Sequence, residues 1–542
     1  MKKLWLLIVF MMVQISFSQE KFVKRKSNSF LKIPYTHFDD NELNSKLPDS
    51  VHVAIKPLHF FEIPSEIPTQ RYNRLLWHKK SWFGRKLFDE NMFVMQDKDY
   101  WLTIDPVADL RLGKDNLSSK YLFQNTRAIR VEGTLGKQFS FSATIAENWS
   151  RFPKFFSRYA TTTNPRIVPG YALNKSETPS IIDYPLSVGY FAYKPSKFFF
   201  FEVGHGKQFI GQGYRSLFLS DNASNYPYFK VEATFWKVKY TTIWTAYQDM
   251  RKEVSVDNVF KKKFSAIHYI DWHVLPKLHI GFFETVVWYN VNRRGFDVNY
   301  LNPLIFFKTA ELEAGSGASN AIVGLSADYR LPYNMQIYGQ FVLDEMTMSK
   351  FFGDAGYWAN KFGYQVGLKY SDAFSLPNLF MRMEYNTVRP YTFSHHNIIT
   401  NYAHNFQALA HPWGANFKEF LFEMQYRKNR IYARNILTIG KKGFDFDGDD
   451  KAYGGDVFKY IRSEDRGIDN VYTLQGNLGQ ILMNQFEAGY IVNPATNLKL
   501  FGGFLYRKTS IDQEINLIKN ETTKYFYIGL KTHLWNDHLD LF

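Results

Sequence analysis

The feature that most constrains this chain is a rhythm. From residue 99 onward, short segments of alternating apolar and polar residues are joined by links that are tight and long in turn. The segments read at about 99–113, 126–136, 138–149, 185–194, 197–206, 227–236, 238–248, 262–275, 277–290, 317–330, 333–346, 362–373, 378–389, 418–428, 430–441, 479–492, 496–507 and 522–535. Within 418–428, Phe420, Phe422, Met424 and Tyr426 share one face, while Glu423, Gln425 and Arg427 share the other. In 362–373, Tyr364, Val366, Leu368 and Tyr370 oppose Gln365 and Lys369. In 228–236, Phe229, Val231, Ala233 and Phe235 oppose Lys230, Glu232 and Thr234. A period of two is the signature of a strand with differently solvated faces.

The links carry independent information. Tight ones fall at Gly136-Lys137, Pro195-Ser196, Trp236-Lys237, Pro276-Lys277, Leu331-Pro332, Ser375-Leu376-Pro377, Asn429 and Asn493-Pro494-Ala495-Thr496. Long ones fall at 150–184, 207–226, 291–316, 347–361, 390–417 and 442–478. A soluble β-sandwich has no reason to sort its loops by length, whereas a membrane barrel does, with short turns on one side and long loops on the other. After residue 19 no apolar run is long enough for a membrane helix. Strands can cross lipid only when a closed barrel satisfies every backbone group. The expected fold is therefore all-β: a transmembrane antiparallel β-barrel of about 18 strands over 99–542, in the outer membrane of a Gram-negative bacterium. Its solvent is outer-membrane lipid. An even strand count sets both termini in the periplasm and the long loops outside.

The ends of the chain fit this frame. Lys2 and Lys3, the apolar run Leu4–Val13, and Ser16-Phe17-Ser18 ahead of Gln19 read as a cleaved signal peptide over 1–18. Residues 19–98 read as an N-terminal periplasmic segment, under or inside the barrel mouth. Lys24-Arg25-Lys26 is a small solvated basic cluster there, and Pro48, Pro57, Pro64 and Pro68 punctuate extended chain. Short helices are compatible with Arg71–Phe88, although the period is not clean. At the other end, Phe526, Ile528, Leu530 and Leu534 share one side of a final strand, and the sequence stops at Phe542. An amphipathic last strand with an aromatic end resembles the signal read by the outer-membrane assembly machinery, an expected partner during insertion.

Composition excludes several functions. With no cysteine there is no disulfide framework, thiolate nucleophile or lipoprotein anchor. HExxH, GxSxG and GxxxxGK[ST] are all missing, so no enzyme is expected. Gly204-His205-Gly206 and Gly211-Gln212-Gly213 lack the strand–loop–helix unit of a phosphate loop. The net charge of +15 does not imply nucleic acid, because no basic stripe sits on a folded soluble domain. His395, His396, His404 and His411 share one long loop without paired metal-ligand spacing, and hydrogen-bonding or solvated roles are expected. Asp445-Phe446-Asp447-Gly448-Asp449-Asp450 lacks EF-hand spacing and reads as a solvated acidic loop. No cofactor and no metal are expected.

The loop after the fifth segment is the most informative. It contains Gly211-Gln212-Gly213-Tyr214-Arg215-Ser216-Leu217-Phe218-Leu219-Ser220-Asp221-Asn222-Ala223 and reaches Pro227. Its glycines, amides and arginine let it fold back and present several donors and acceptors. The stretch resembles the Wzi family of outer-membrane capsule-assembly proteins, whose pattern is a Gly-x-Gly and an aromatic, then Ser-Leu-x-Leu-Ser-x-Asn-Ala and a Pro opening the next strand. Asn302-Pro303-Leu304 and His411-Pro412-Trp413-Gly414-Ala415-Asn416 are weaker echoes. Gln212, Arg215 and Trp413 depart from the pattern, and the resemblance covers about 99–542.

The resemblance implies an 18-stranded barrel with periplasmic N-terminal helices that binds or retains surface polysaccharide, as capsule or slime, in a lectin-like role. The Phe/Tyr/Lys/Asn-rich composition is similar to a Bacteroidota branch with a gliding-motility-associated member. Surface adhesion or motility, with motility or capsule-export components as partners, is thus an alternative, and a transport pore is another. For glycan contact the long loops offer Tyr214, Arg215, Asp221, Asn222, Tyr357, Trp358, His411, Trp413 and Asn416. Aromatic faces suit sugar C–H surfaces, polar groups suit hydroxyls, and cations suit uronate or sulfate. The same residues can instead pack loops together or satisfy turns.

Overall fold

A computed structural model describes residues 30–171, 173–176, 180–257, 259–289, 295–302, 319–351, 356–459, 461 and 466–542. The signal peptide, the basic cluster at 24–26 and Pro303-Leu304 lie outside these.

Eighteen antiparallel strands close into one barrel. In chain order they are β1 (Tyr100–Asp115), β2 (Leu122–Leu135), β3 (Phe139–Arg151), β4 (Ile182–Tyr193), β5 (Phe199–Gly206), β6 (Tyr226–Phe235), β7 (Val238–Asp249), β8 (Lys261–Leu275) and β9 (Leu278–Tyr289). Then come β10 (Ser319–Leu331), β11 (Met335–Glu345), β12 (Lys361–Ser371), β13 (Leu379–Val388), β14 (Phe417–Lys428), β15 (Ile431–Phe444), β16 (Asn477–Asn493), β17 (Leu498–Ile511) and β18 (Glu521–Thr532). Each overlaps one segment read from the sequence. Closure runs from Tyr525 opposite Asp115 to Lys531 opposite Asp109.

Alternation sets what each face meets. On β14, Phe420, Met424 and Tyr426 are exposed outward, whereas Glu419, Glu423, Gln425 and Arg427 are buried inward. On β1, Leu110 and Leu112 point out and Asp105, Asp109, Arg111 and Asp115 point in. Apolar outside and polar inside inverts the soluble arrangement and suits lipid around a polar lumen. The tight turns use left-handed backbone at Trp236, Tyr333, Asn334, Asn429 and Asn497. Such residues give two-residue hairpins the twist of their strands, as where Trp236-Lys237 joins Phe235 to Val238.

The lumen is filled by the chain itself. Helix α1 (His37–Asn44) stands inside it, capped by the Thr36 hydroxyl, which accepts from the Asp39 amide at 3.2 Å. Its polar residues meet polar wall. Asn41 donates to Glu423 at 3.2 Å and Arg427 pairs with Glu42, while Lys56 of the N-terminal segment itself pairs with Asp40 at 2.7 Å. Two further helices, α2 (Glu66–Leu75) and α3 (Trp82–Phe88), lie against the short-turn end. Arg430, in the β14–β15 turn, donates to Leu75 O at 2.7 Å and Phe88 O at 3.0 Å. Asn493, ending β16, donates to Lys86 O at 3.0 Å and Glu90 O at 2.8 Å. The helices expected at 71–88 are thus present but begin earlier. The sequence reading missed α1, because a polar helix in a polar lumen has no apolar stripe.

The last segment corrects an expectation. Phe542 was expected at the short-turn end, where β18 finishes. Instead, 533–542 turns back into the lumen and carries Phe542 to the long-loop end. There its ring centroid is 5.0 Å from that of Trp413 and 5.0 Å from that of Phe444, the last residue of β15. Tyr159, on helix α4 (Lys154–Thr162) in the loop after β3, donates to Phe542 O at 2.8 Å.

Candidate functional site

Three segments meet inside the barrel near the long-loop end: 207–225, 403–416 and 533–542. Residues Phe209–Ile210 pair with Ile55–Lys56, so the first also meets the N-terminal segment. At their centre is Arg215. Its guanidinium pairs with Glu419 at 2.9 Å and Asp540 at 2.5 Å, all three side chains being buried. The Tyr214 and Arg215 amides both donate to Glu384, at 2.7 and 3.0 Å. A buried carboxylate needs such donors, because its desolvation is otherwise uncompensated.

The glycine motif follows from the same contact. A Cβ on Gly213 would lie 2.5 Å from a Glu384 carboxylate oxygen, so any other residue would push the loop off this wall group. The rest of the loop seats in sequence. Gln340 accepts from the Leu217 amide at 2.8 Å and donates to Ile210 O at 3.0 Å. Phe218 stacks on Phe283 at 4.6 Å. Asn222 donates to Ala408 O at 2.7 Å, and the Ser220 amide donates to Leu409 O at 2.8 Å.

The departures from the family pattern have partners. Lys369 donates to Gln212 at 3.2 Å, and Arg215 holds the charge network. Trp413 donates to Asp540 O at 3.2 Å, and its ring lies over Gly440 of β15, where a Cβ would come within 2.3 Å of it. A bulky loop residue is thus matched by a bare position in the wall.

The nine residues expected at a glycan site divide in two. Tyr214, Arg215, Asp221, Asn222, His411, Trp413 and Asn416 are buried and bonded within the filling. Asp221 accepts from Asn536 at 2.8 Å, and His411 Nε2 lies 2.8 Å from Glu419. Asn416 donates to Gly443 O at 3.1 Å and accepts from the Leu474 amide at 2.6 Å. Tyr357 and Trp358 are half-buried on the long-loop face. The Trp358 amide donates to Ile468 O at 3.0 Å, which ties this loop to the one after β15. Arg466 lies over the Trp358 ring at 3.3 Å, and Tyr472 nearby is 57% exposed. Sequence reading missed Arg466 and Tyr472, since they lie far from Trp358 in the chain. The signal available was that both occupy a long loop.

Several histidines and acids of the long loops are used internally. Burial pulls His404 down to about 3; its Nδ1 accepts from the Gln248 amide at 3.0 Å, so its Nε2 donates to Asn225 O at 3.2 Å. Burial also lowers His411, against the pull of Glu419. Asp445 accepts from the Tyr453 amide at 2.6 Å, and Asp447 accepts from the Asn516 amide at 2.7 Å. A cavity of about 150 Å³ remains beside Asp221, lined by Lys32, Lys56, Arg130, Lys207, Tyr190 and other residues. Burial brings its Lys207 down to about 8.

An apolar outer face, a closed sheet and a lumen occupied by the chain's own segments define an outer-membrane β-barrel of the plugged kind. Residues 120–433, more than half of the chain, match the family model described as capsule assembly protein Wzi, and the chain belongs to that family. Its fold is similar to that of Escherichia coli Wzi, described as an outer-membrane protein involved in group 1 capsule assembly and a carbohydrate-binding β-barrel. That match has a TM-score of 0.54 at 12% identity and covers 92% of this chain and 98% of the other. Pseudomonas aeruginosa OprD matches with a TM-score of 0.42 at 10% identity, over 79% of this chain and 94% of that one. Acinetobacter baumannii OccAB2 gives 0.44 at 10% identity, over 79% and 97%. No curated protein matches the chain.

Proposed function

We propose that this barrel holds polysaccharide at the cell surface, binding it on the long-loop face without transporting or cleaving it. The reading places the short turns, α2 and α3 in the periplasm and the long loops outside. The observation that carries it is the cluster of half-buried Tyr357, Trp358 and Arg466 with exposed Tyr472 at the long-loop end. Aromatic faces pack on sugar C–H surfaces, and a guanidinium over an aromatic ring pairs with uronate or sulfate. An acidic glycan fits best. The E. coli protein of the same family is described as carbohydrate-binding, which agrees with this reading.

In this proposal Tyr357 and Trp358 touch the glycan. Tyr214, Arg215, Asp221, Asn222, His411, Trp413 and Asn416 hold the filling that keeps the loops in place. The assembly machinery, the expected partner during insertion, reads the amphipathic β18 before 533–542 enters the lumen.

The test is a deletion strain complemented with wild type or with the Tyr357→Ala/Trp358→Ala double variant. Deletion is expected to release surface polysaccharide into the medium without lowering its synthesis. The double variant should insert normally and fail to restore retention. Unchanged retention in the deletion strain contradicts the proposal.

A further inference from the structure

Of the long-loop histidines, His395, His404 and His411 find ordinary hydrogen-bond partners. A tighter histidine cluster lies at the opposite end of the barrel. His52, Asp271 and His273 each bring a ligand atom within 4.8 Å of the others. Asp271 and His273 are on the inward face of β8, just before the tight turn Pro276-Lys277, and His279 opens β9 directly opposite His273. His52 comes from the N-terminal segment, shortly before the Ile55–Lys56 strand that pairs with the filling. Three imidazoles are thereby in contact: the ring centroids of His52 and His273 are 4.1 Å apart, and those of His273 and His279 are 3.8 Å apart.

The proton positions give the cluster its meaning. His279 Nε2 lies 3.0 Å from the Asp49 carbonyl oxygen, which only accepts, so Nε2 carries the proton. In the neutral ring Nδ1 is then a bare lone pair. It lies 3.6 Å from Asp271 Oδ1, another acceptor, and is buried without a hydrogen-bond donor. His52 Nδ1 lies 3.1 Å from Asp271 Oδ2. His273 Nε2 is also buried and has no hydrogen-bond partner. His52 and His279 thus both turn Nδ1 toward the Asp271 carboxylate, and ligand atoms of His52, His273 and Asp271 lie together.

We propose that this cluster binds one divalent transition-metal cation of the zinc class, with His52, Asp271, His273 and His279 as its ligands. Three nitrogens and one carboxylate oxygen suit zinc, which takes four such donors tetrahedrally at about 2.0–2.2 Å. The Asp49 carbonyl is the outer partner that metal-ligating histidines usually have, fixing tautomer and ring orientation. With four protein ligands the site is structural. It fastens His52, and with it the base of the lumen filling, to the β8–β9 hairpin.

The test uses tag-free full-length barrel, stripped with chelator and titrated with Zn²⁺ by calorimetry. One equivalent is expected to bind the wild type. His52→Ala and His273→Ala should each weaken binding by at least about tenfold, the loss typical when a metal site's support is cut. The exposed His78→Ala serves as the control and should bind as wild type does. Zinc-edge X-ray absorption on the loaded wild type should show a first shell of nitrogen and oxygen with the multiple scattering of about three imidazoles, a readout independent of how the variants fold. A wild type that takes up no zinc overturns the proposal. So does binding undiminished in both ligand variants, or a loaded spectrum with fewer than two imidazoles.

Discussion

The wall of this barrel and its filling are built by different rules. The wall is a repeat: each strand pairs with the next, and a residue's face is set by its parity. The filling has no repeat. Helix α1, 207–225, 403–416 and 533–542 come from distant parts of the chain and are held by single buried contacts such as Arg215 with Glu419 and Asp540. A wall of this kind tolerates local change, because each strand is hydrogen-bonded on both sides. A filling pinned by a few buried charges fails where one is removed. Perturbations should therefore separate the two regions.

Arg215→Ala should have the largest effect. It strands Glu419 and Asp540 without their cation, and breaking such a buried pair costs about 3–5 kcal/mol. Hydrogen exchange should speed up by two to three orders of magnitude, roughly, over 207–225 and 533–542, with β12 to β14 still protected. Equal loosening of wall and filling would erase the distinction. Asn41→Ala should cost less, about 1–3 kcal/mol, because it leaves Glu423 and Gln425 short of a donor. The chain has no cysteine, so a Ser45→Cys reporter beside α1 can be labelled cleanly. Labelling should be faster in the Asn41→Ala background.

A pH effect is expected in the loop after β15. Burial and the nearby Asp456 carboxylate raise Asp445 from an ordinary 3.8 to about 6. With the folded value above the unfolded one, the neutral acid is what the loop favours. That contribution is full below about pH 4 and is lost as pH rises through 6. Protease protection of 445–459 should fall between pH 5 and 7.5, and Asp445→Asn should remove the dependence. The smallest stability change is expected for Tyr472→Ala, within about 0.5 kcal/mol for so exposed a side chain. Its binding of acidic polysaccharide should nevertheless weaken by about 1 kcal/mol.

The same contrast explains what could be read from the sequence. Parity along a strand is local, so all the wall segments were legible, with ends shifted by a few residues. So was the motif loop, as a stretch that folds back. What it folds onto was not. Glu384 and Glu419 are ordinary inward residues of β13 and β14 until Gly213 and Arg215 arrive, and nothing near them in the chain announces it. Helix α1 was hidden because its surroundings are polar. Phe542 was misplaced because the end of β18 was taken as the end of the path, while Trp413 and Phe444 form its socket from far away in sequence. The long-loop face was half legible: Tyr357 and Trp358 were named, but Arg466 and Tyr472 join them only through the pairing of two loops.

The central claim is that the filling is part of the folded barrel and closes it. Single-channel recording of the purified wild type in planar bilayers tests this most directly, with Arg215→Ala alongside. The wild type should insert and stay silent across the voltage range, and Arg215→Ala should show discrete openings. A steady, porin-like conductance from the wild type would contradict the account.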